Sequence, residues 1–455
     1  MKHLTPQIIA EVTDGKYIGD DALRHERVMG AVRDNRDVVG GNLFICIRGA
    51  RVDGHDFANS AFDAGAACCL AEREIPDAKG PYVLVDSTLE SLKTLGAYYR
   101  SLFDIPIIGI TGSVGKTTSK EMIAAVLGAK LNVLKTTKNL NNEIGVPLTL
   151  LSLEERHEVA VIEMGISDFG EMGRLAQMVV PDIFVITKIG FSHLDNLKDL
   201  DGVLRAKTET FAYMKPNSIA ILNGDDDLLW NYDPGIKKIT YGTNPRNDYV
   251  TESQLLTPNV SPQLLTPNSS LLIPNSYGSH LTAAVLLAAV IGDIFGLTED
   301  DIRRGLRLYE PVDGRAKLIN TGYITIIDDC YNANPDSVKA ALESLSTLSG
   351  RRIAILGDML GLGEHTEQAH QNIGRFAAQS SIESLICCGE HAKHIYEGFL
   401  SERTVKTALY VPSKNELMPM LPGIVERNDV ILIKASNGMR FDEIVKTLHI
   451  LQDRN

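Results

Sequence analysis

No apolar run in this sequence is long enough to span a bilayer. The greasiest stretch, AAVLLAAVIG at residues 283–292, stops at Asp293, well short of the roughly 20 residues that a spanning helix needs. It reads instead as a helix buried within a domain. A basic start followed by a long apolar core is also missing from MKHLTPQIIAEVTDGKYIG. No signal peptide is therefore expected, and the chain reads as a soluble, cytoplasmic protein with no membrane insertion. Positive charge is in deficit, with 45 Lys and Arg against 58 Asp and Glu and a formal net charge of −13. That balance argues against general binding to nucleic acid or to an anionic membrane surface. Phosphates can be bound only by local devices. The six cysteines, Cys46, Cys68, Cys69, Cys330, Cys387 and Cys388, include no CxxC spacing. Buried thiols in a reducing compartment are the plain reading, with zinc or a disulfide framework as the alternatives.

At 455 residues the chain exceeds one hydrophobic core, and two to four domains are expected. The pattern divides into three α/β units at 1–100, 101–312 and 313–455. In the first, NLFICI (42–47) and PYVLVD (81–86) read as strands, and FANSAFDAGAACCLAE reads as a helix followed by a strand. In the second, IPIIGIT (105–111), EVAVIEMG (158–165), PDIFVITKIG (181–190) and SIAILNG (218–224) are apolar strands, and SKEMIAAVLGAK (119–130) is an amphipathic helix. Strands of this kind alternating with helices imply a mostly parallel sheet covered on both faces. The third unit holds YITIIDD, RRIAILGD, SLICCG, TALYV and DVILIKAS, five strands of a Rossmann-like open sheet. Between the second and third units, QLLTPN recurs at 254–259 and 263–268, followed by LLIPN at 271–275. Short β segments with Pro-Asn turns and a mobile excursion are both consistent with it.

The most informative stretch is GITGSVGKTTSKEM at 109–122. The strict G-x-x-x-x-G-K-[ST] pattern fails, because Ile110 stands at the first glycine, but Gly112-x-x-Gly115-Lys116-Thr117 survives. A buried strand ends at Thr111, the glycines let backbone N–H groups turn inward, and a helix begins at once. Amide donors at a helix N-terminus favour an anion, Lys116 adds a mobile positive charge, and the Thr117 hydroxyl can ligate Mg²⁺. This is a nucleotide-binding P-loop. Glu163 closes the apolar strand VAVIE, where an acid at the sheet edge beside a phosphate loop can hold Mg²⁺, though an acid there can also be a solvated strand end. Taken alone, His193 reads as a structural histidine and Lys207 as a surface lysine on a helix.

The ordered set TGSVGKTT (111–118), NLNNEIGVPLTLL (139–151), EMGISDFGEM (163–172), SHLDNL (192–197) and RAKTET (205–210) resembles the Mur ligases. IIDDCYNANPDSVKAAL (326–342) and LGDMLGLGEHTEQAH (356–370) resemble the member that adds D-alanyl-D-alanine more than its siblings. DNR (34–36), GNLFICIRG (41–49) and DGHDF (53–57) resemble the family's UDP-sugar segment. The resemblance runs over nearly the whole chain. It implies an ATP-dependent ligase that joins D-alanyl-D-alanine to UDP-N-acetylmuramoyl-tripeptide through an acyl phosphate, acting as a monomer. Thr111, Gly112, Ser113, Val114, Gly115, Lys116, Thr117 and Thr118 would hold the ATP phosphates. Thr117 and Glu163 would ligate one Mg²⁺. Lys207, carbamylated by CO₂, would bind a second Mg²⁺ with His193. Asn139, Asn141 and Asn142 would line the phosphate and peptide side. Arg315, Asp329, Asn332 and Asn334 would close over ATP, with Lys434 and Ser436 near the incoming substrate. Asn35, Arg36 and Arg48 would meet the UDP-sugar.

The chain departs from the family pattern at Leu281 and Ala284, where asparagines near the adenine are usual. Lys188 replaces an asparagine, Ala435 a glycine and Asn35 a small hydroxyl residue. Two other activities remain open: a related folylpolyglutamate-type amide ligase, and a P-loop nucleotide-binding regulator that has lost catalysis. CYNANP and GDMLGLG argue against the first, and the replaced asparagines are the support for the second.

Overall fold

The computed structural model describes residues 1–49, 52–251, 263–266, 269–272 and 279–451. Three sheets follow one another along the chain. The first has five strands in the order Lys16–Ile18, Tyr82–Leu84, Cys68–Ala71, Asn42–Ile45, Gly30–Val32, all parallel except the antiparallel edge Lys16–Ile18.

The second sheet has nine strands. Seven are parallel, in the order Tyr249–Thr251, Lys237–Gly242, Ile219–Asn223, Ile183–Ile186, Ile107–Thr111, Val159–Glu163, Val133–Lys135. Gln263–Thr266 and Ser269–Leu272 extend it as antiparallel strands. The Pro-Asn near-repeats thus supply two short strands, and the rest of them lies outside the described residues. The strand Ile107–Thr111 is buried at every position, as a parallel strand covered on both faces should be. Ile108 and Ile110 pack with the helices Lys116–Leu127 and Ser279–Ile294, and the latter contains the apolar run 283–292. Ile107 joins the opposite layer. Among the described residues no helix is long and apolar enough to cross a membrane.

The third sheet has six strands: Lys317–Asn320, Thr325–Asp328, Val430–Lys434, Arg352–Gly357, Ser384–Cys388, Thr407–Val411. The last five are parallel and match the five expected from sequence, while Lys317–Asn320 adds an antiparallel edge. All six cysteines are free and buried.

The hydrophobic core runs unbroken from the first sheet into the second. Leu43, Val83, Leu92 and Tyr99 belong to the same cluster as Leu148, Ile162 and Phe184. The helix Thr88–Ser101 carries this junction, and Tyr99 ties it by accepting from Lys2 N at 2.7 Å and donating to the Leu153 carbonyl at 3.0 Å. The third unit keeps its own two clusters on the faces of its sheet.

Candidate active site

The strand Ile107–Thr111 sits where strand order reverses, with Val159–Glu163 on one side and Ile183–Ile186 on the other. In open α/β sheets the crevice at such a reversal takes the ligand. Gly112 (φ 147°) and Gly115 (φ 86°) adopt backbone conformations open to glycine, and the helix begins at Lys116. A Cβ on Gly112 would lie 2.0 Å from Thr187 Oγ1. The loop is clamped from that neighbouring strand exit. Ser113 N donates to the Lys188 carbonyl at 2.8 Å, Ser113 Oγ donates to the Gly190 carbonyl at 2.8 Å, and Thr187 Oγ1 donates to the Val114 carbonyl. Lys116 Nζ folds back onto the Gly112 carbonyl at 2.5 Å. Burial pushes that amine below its usual range.

Glu163 is almost wholly buried at the end of its strand. Its Oε1 accepts from Thr117 Oγ1 at 3.2 Å and from Asn141 Nδ2 at 2.9 Å. Its Oε2 is buried without a hydrogen bond, and the nearest cation, Lys120 Nζ, lies 3.5 Å away. Lys120 is itself held by the Thr136 carbonyl at 2.7 Å, and Glu163 N donates to Thr136 Oγ1 at 2.9 Å. Nothing in the sequence pattern marks Lys120 or Thr136, because their role depends on one helix and two strands meeting behind the loop.

A cleft of about 510 Å³ opens in front of these groups, between the second and third units. From the second unit it is lined by Ser113 to Thr118, Asn141, Asn142, Glu163 and His193; from the third by Arg315, Asp329, Asn332, Asn334 and Lys434. The third unit's groups stand at the carboxyl ends of its strands, the edge that takes ligands in such sheets. The Arg315 guanidinium lies 3.9 Å from the Tyr331 ring centroid. Lys434 Nζ pairs with Asp329 at 2.6 Å and donates to the Asn332 carbonyl at 3.0 Å. Asn334 Oδ1 accepts from Ser337 N at 2.8 Å and caps the helix Pro335–Ser346. Asn142 Oδ1 likewise accepts from Gly145 N at 2.9 Å, at the start of the helix Gly145–Leu150. Tyr331, Glu171 and Ser167 also line the cleft, and sequence reasoning passed over them.

His193 has a left-handed backbone (φ 54°) just before the turn Leu194–Leu197. Desolvation, then the charges of Lys207 and Lys116, push its pKa down to about 4. Lys207 lies inside the helix Leu200–Thr208 and is only 2% exposed. Burial first, and Lys116 second, hold its amine well below the usual lysine range. Two lysines and a histidine thus act on one another here, and Glu163, Glu171 and Asp195 offset their repulsion only in part. Such a cluster attracts an anion.

The remaining expected residues fall elsewhere. Asn139 is exposed and outside the cleft lining. Ser436 is buried, accepting from Leu360 N at 2.9 Å. Asn35, Arg36 and Arg48 do not line the cleft. Asn35 Nδ2 donates to Ser60 Oγ at 3.1 Å, Arg36 pairs with Asp34 at 2.5 Å, and Arg48 bridges to Asp53 through its backbone. All three follow parallel strands of the first sheet, so they share its carboxyl edge. Of the departures, Ala284 is buried in the core and Leu281 packs against it. Lys188 Nζ lies 3.5 Å from Asp336. Ala435 is fully buried, its Cβ 2.7 Å from where a Cβ on Gly357 would stand.

Residues 32–100 match the Mur ligase family catalytic domain, 110–284 the Mur ligase middle domain, and 314–437 the Mur ligase glutamate ligase domain. Over 450 residues the chain is 35% identical to UDP-N-acetylmuramoyl-tripeptide–D-alanyl-D-alanine ligase of Bacillus subtilis (strain 168), covering 98% of each. The chain belongs to the Mur ligase family. The enzyme of the same name from Escherichia coli (strain K12) is 32% identical, over 98% of this chain and 99% of that one. Among solved structures, MurF from Acinetobacter baumannii superposes with a TM-score of 0.87 at 28% identity, covering 98% of both chains. MurF from Thermotoga maritima in complex with ADP gives 0.81 at 26% identity, over 94% of this chain and 98% of that one. As a Mur ligase, the chain has the three-unit architecture of these structures.

Proposed function

We propose that this Mur ligase joins D-alanyl-D-alanine to the terminal carboxylate of UDP-N-acetylmuramoyl-tripeptide, consuming ATP, in the cytoplasmic assembly of peptidoglycan precursor. The observation that carries the reading is the single cleft in which the phosphate loop faces Arg315, Asp329 and Lys434 across the second and third units. Full-length kinship with ligases of that name supports the choice of substrates. In this reading residues 1–100 hold the UDP-sugar through Asn35, Arg36 and Arg48, residues 101–312 hold ATP, and residues 313–455 bring the dipeptide. The protein acts as a monomer without nucleic acid.

The chemistry follows from the charges. A peptide carboxylate is a poor acyl donor at neutral pH, because an oxide-like oxygen leaves badly. One of its oxygens attacks the γ-phosphorus of ATP and the bond to the bridging oxygen breaks, releasing ADP and leaving an acyl phosphate. Backbone N–H groups of residues 112–118 and Lys116 hold the migrating negative charge in place, where positioning and electrostatics do most of the work. The neutral amine of the dipeptide then attacks the carbonyl, phosphate departs, and the amide remains. Docking of the third unit over the cleft excludes water from the acyl phosphate.

Mg²⁺ fits the donors present. The buried Glu163 Oε2, which accepts no hydrogen bond, and the Thr117 hydroxyl are hard oxygen donors beside the phosphate loop. Among the described residues no cluster of three or more His, Cys, Asp or Glu side chains gathers. This suits an ion that takes one or two protein oxygens and completes its shell with phosphate and water. Bound there, Mg²⁺ would neutralise phosphate charge during transfer. Burial lowers the pKa of the Lys207 amine and so favours the neutral form that captures CO₂, and the resulting carbamate would give His193 an anionic partner for a second ion. Lys116 and His193 would then face an anion in place of an amine.

The test is phosphate release with ATP, Mg²⁺ and UDP-N-acetylmuramoyl-tripeptide, with and without D-alanyl-D-alanine. Release that requires every component, with a product heavier by the dipeptide residue, is expected. Release indifferent to both peptides would overturn the ligase reading.

A further inference from the structure

Lys207 carries no partner that explains its direction. Among the described residues its Nζ makes no hydrogen bond or ion pair, yet the side chain is only 2% exposed, its charge depresses the pKa of His193, and the charge of Lys116 depresses its own. Something else must hold the helix Leu200–Thr208 in rotation. Its flanks show what does. Four residues apart, Arg205 and Glu209 lie on one face of the helix. The Arg205 guanidinium sits 4.7 Å from the Phe169 ring centroid. Glu209 closes the helix with helical backbone angles. Its Oε1 accepts from Gly170 N at 2.8 Å and its Oε2 from Gly173 N at 3.0 Å.

Those two N–H groups open the helix Glu171–Val179, whose start has no side-chain cap of its own. Glu209 therefore supplies from a distance what a local Ser or Asp usually supplies. Lys207 is two residues from each anchor, roughly 200° around the helix. Fixing Arg205 and Glu209 against residues 169–173 turns Lys207 away from that surface and into the core. The same loop is shared with the active site. Gly165, Ile166, Ser167 and Glu171 line the cleft, and Gly165 N donates to the Asn141 carbonyl at 2.8 Å. Asn196, just past His193, donates to the Ser167 carbonyl at 3.1 Å. Both elements that carry His193 and Lys207 are thus registered on one loop.

We propose that Glu209, assisted by Arg205, is a positioning residue that sets the direction of Lys207 by clamping its helix onto the loop 165–173. This rests on the reading of Lys207 as a carbamylated ligand. It adds a function for the outer residues of RAKTE: they orient the lysine between them.

The test uses the full-length protein with Glu209→Ala and Glu209→Gln, the latter retaining one acceptor. Amide exchange at Gly170 and Gly173, the carbamate signal of ¹³C-bicarbonate-equilibrated protein, and kcat and KM for ATP are measured. With Glu209→Ala we expect faster exchange at both glycines, a weakened carbamate signal, and kcat lower by about 10- to 100-fold, as for lost outer partners of a ligand. The KM for ATP should stay within about threefold, since the phosphate loop is untouched. Glu209→Gln should fall between the two. Should the alanine variant fail to fold, the glutamine variant decides by the same measurements. Undiminished kcat despite faster exchange, or a kcat loss with an intact carbamate signal, would overturn the proposal. A wild-type protein without any carbamate signal would instead overturn the carbamate reading, and Glu209 would then be decided by the kcat split and the partial rescue.

Discussion

At the scale of single residues, the active site holds charges in places that a resting protein would avoid. Glu163 keeps one carboxylate oxygen buried without a hydrogen bond, with only the Lys120 ammonium at 3.5 Å to offset its charge, and a buried charge short of hydrogen bonds is costly. Glu163→Gln should therefore separate function from stability. The amide keeps the shape and the contacts of Oε1, so the thermal midpoint should move by no more than about 3 °C. Turnover should drop by about 100- to 1,000-fold, the size of losing one well-placed electrostatic group. Equal turnover in that variant would remove Glu163 from the metal site. Lys207→Ala presents the same contrast more sharply. Removing a buried amine without a partner should leave stability unchanged or raise it, while most activity is lost. Added bicarbonate should not restore it, because no amine remains to form the carbamate. Wild-type-like activity would sink the carbamate assignment.

At the scale of elements, the loop 359–366 is pinned at both ends by one buried imidazole. His370 Nε2 accepts from Met359 N at 3.0 Å, and Nδ1 meets the Thr366 carbonyl at 2.7 Å. Desolvation, with smaller contributions from His391 and His394, holds its pKa near 4. A protonated ring cannot accept from Met359. The folded value lies below the unfolded one, so the unfolded chain binds the extra proton first. Stability is complete above the unfolded pKa and is lost as pH falls from there toward 4. Between pH 7 and pH 5 the loss from this group is about 2 kcal/mol. His193 titrates over the same window, so the informative quantity is the difference between wild type and His370→Gln. The drop in thermal midpoint from pH 7 to pH 5 should be smaller in the variant than in wild type, and equal drops would refute the assignment.

How much of this was legible follows from where each signal resides. The phosphate loop could be read because strand, glycines, lysine and helix are contiguous, and the five parallel strands of the third sheet because each is a continuous apolar run. The edge strand Lys317–Asn320 was missed because its residues alternate between half-buried and exposed, leaving no apolar run to notice. Lys120, Thr136 and Glu209 were missed for a different reason. Each acts on a group from another element, and their spacing in sequence carries no trace of that contact. The helix Lys116–Leu127 begins three residues before the expected position 119 because the loop's own lysine and threonines form its first turn.

At the scale of the whole molecule, the first two units share one core, whereas the third keeps its own. The third unit should therefore be the one that moves, since domains joined by small polar interfaces shift by default. Its docking falls on residues 188–195. Lys188 faces Asp336 at 3.5 Å, Leu194 N donates to the Gly361 carbonyl at 3.2 Å, and a Cβ on Gly190 would stand 2.4 Å from Asp336 Oδ2. The same segment grips the phosphate loop through Ser113 and carries His193, so docking and the reacting centre are mechanically joined. Gly190→Val should hold the third unit off the cleft. Affinity for ADP should be kept, because the loop and its glycines are intact, while amide formation falls by about 100-fold, as expected for reacting groups held out of place. The exposed acyl phosphate should then hydrolyse, and phosphate released per amide formed should rise above one. Small-angle scattering of the G190V protein should show a larger radius of gyration than wild type under saturating ATP analogue. Tight coupling and an unchanged radius would mean that Gly190 is not part of the closing seam.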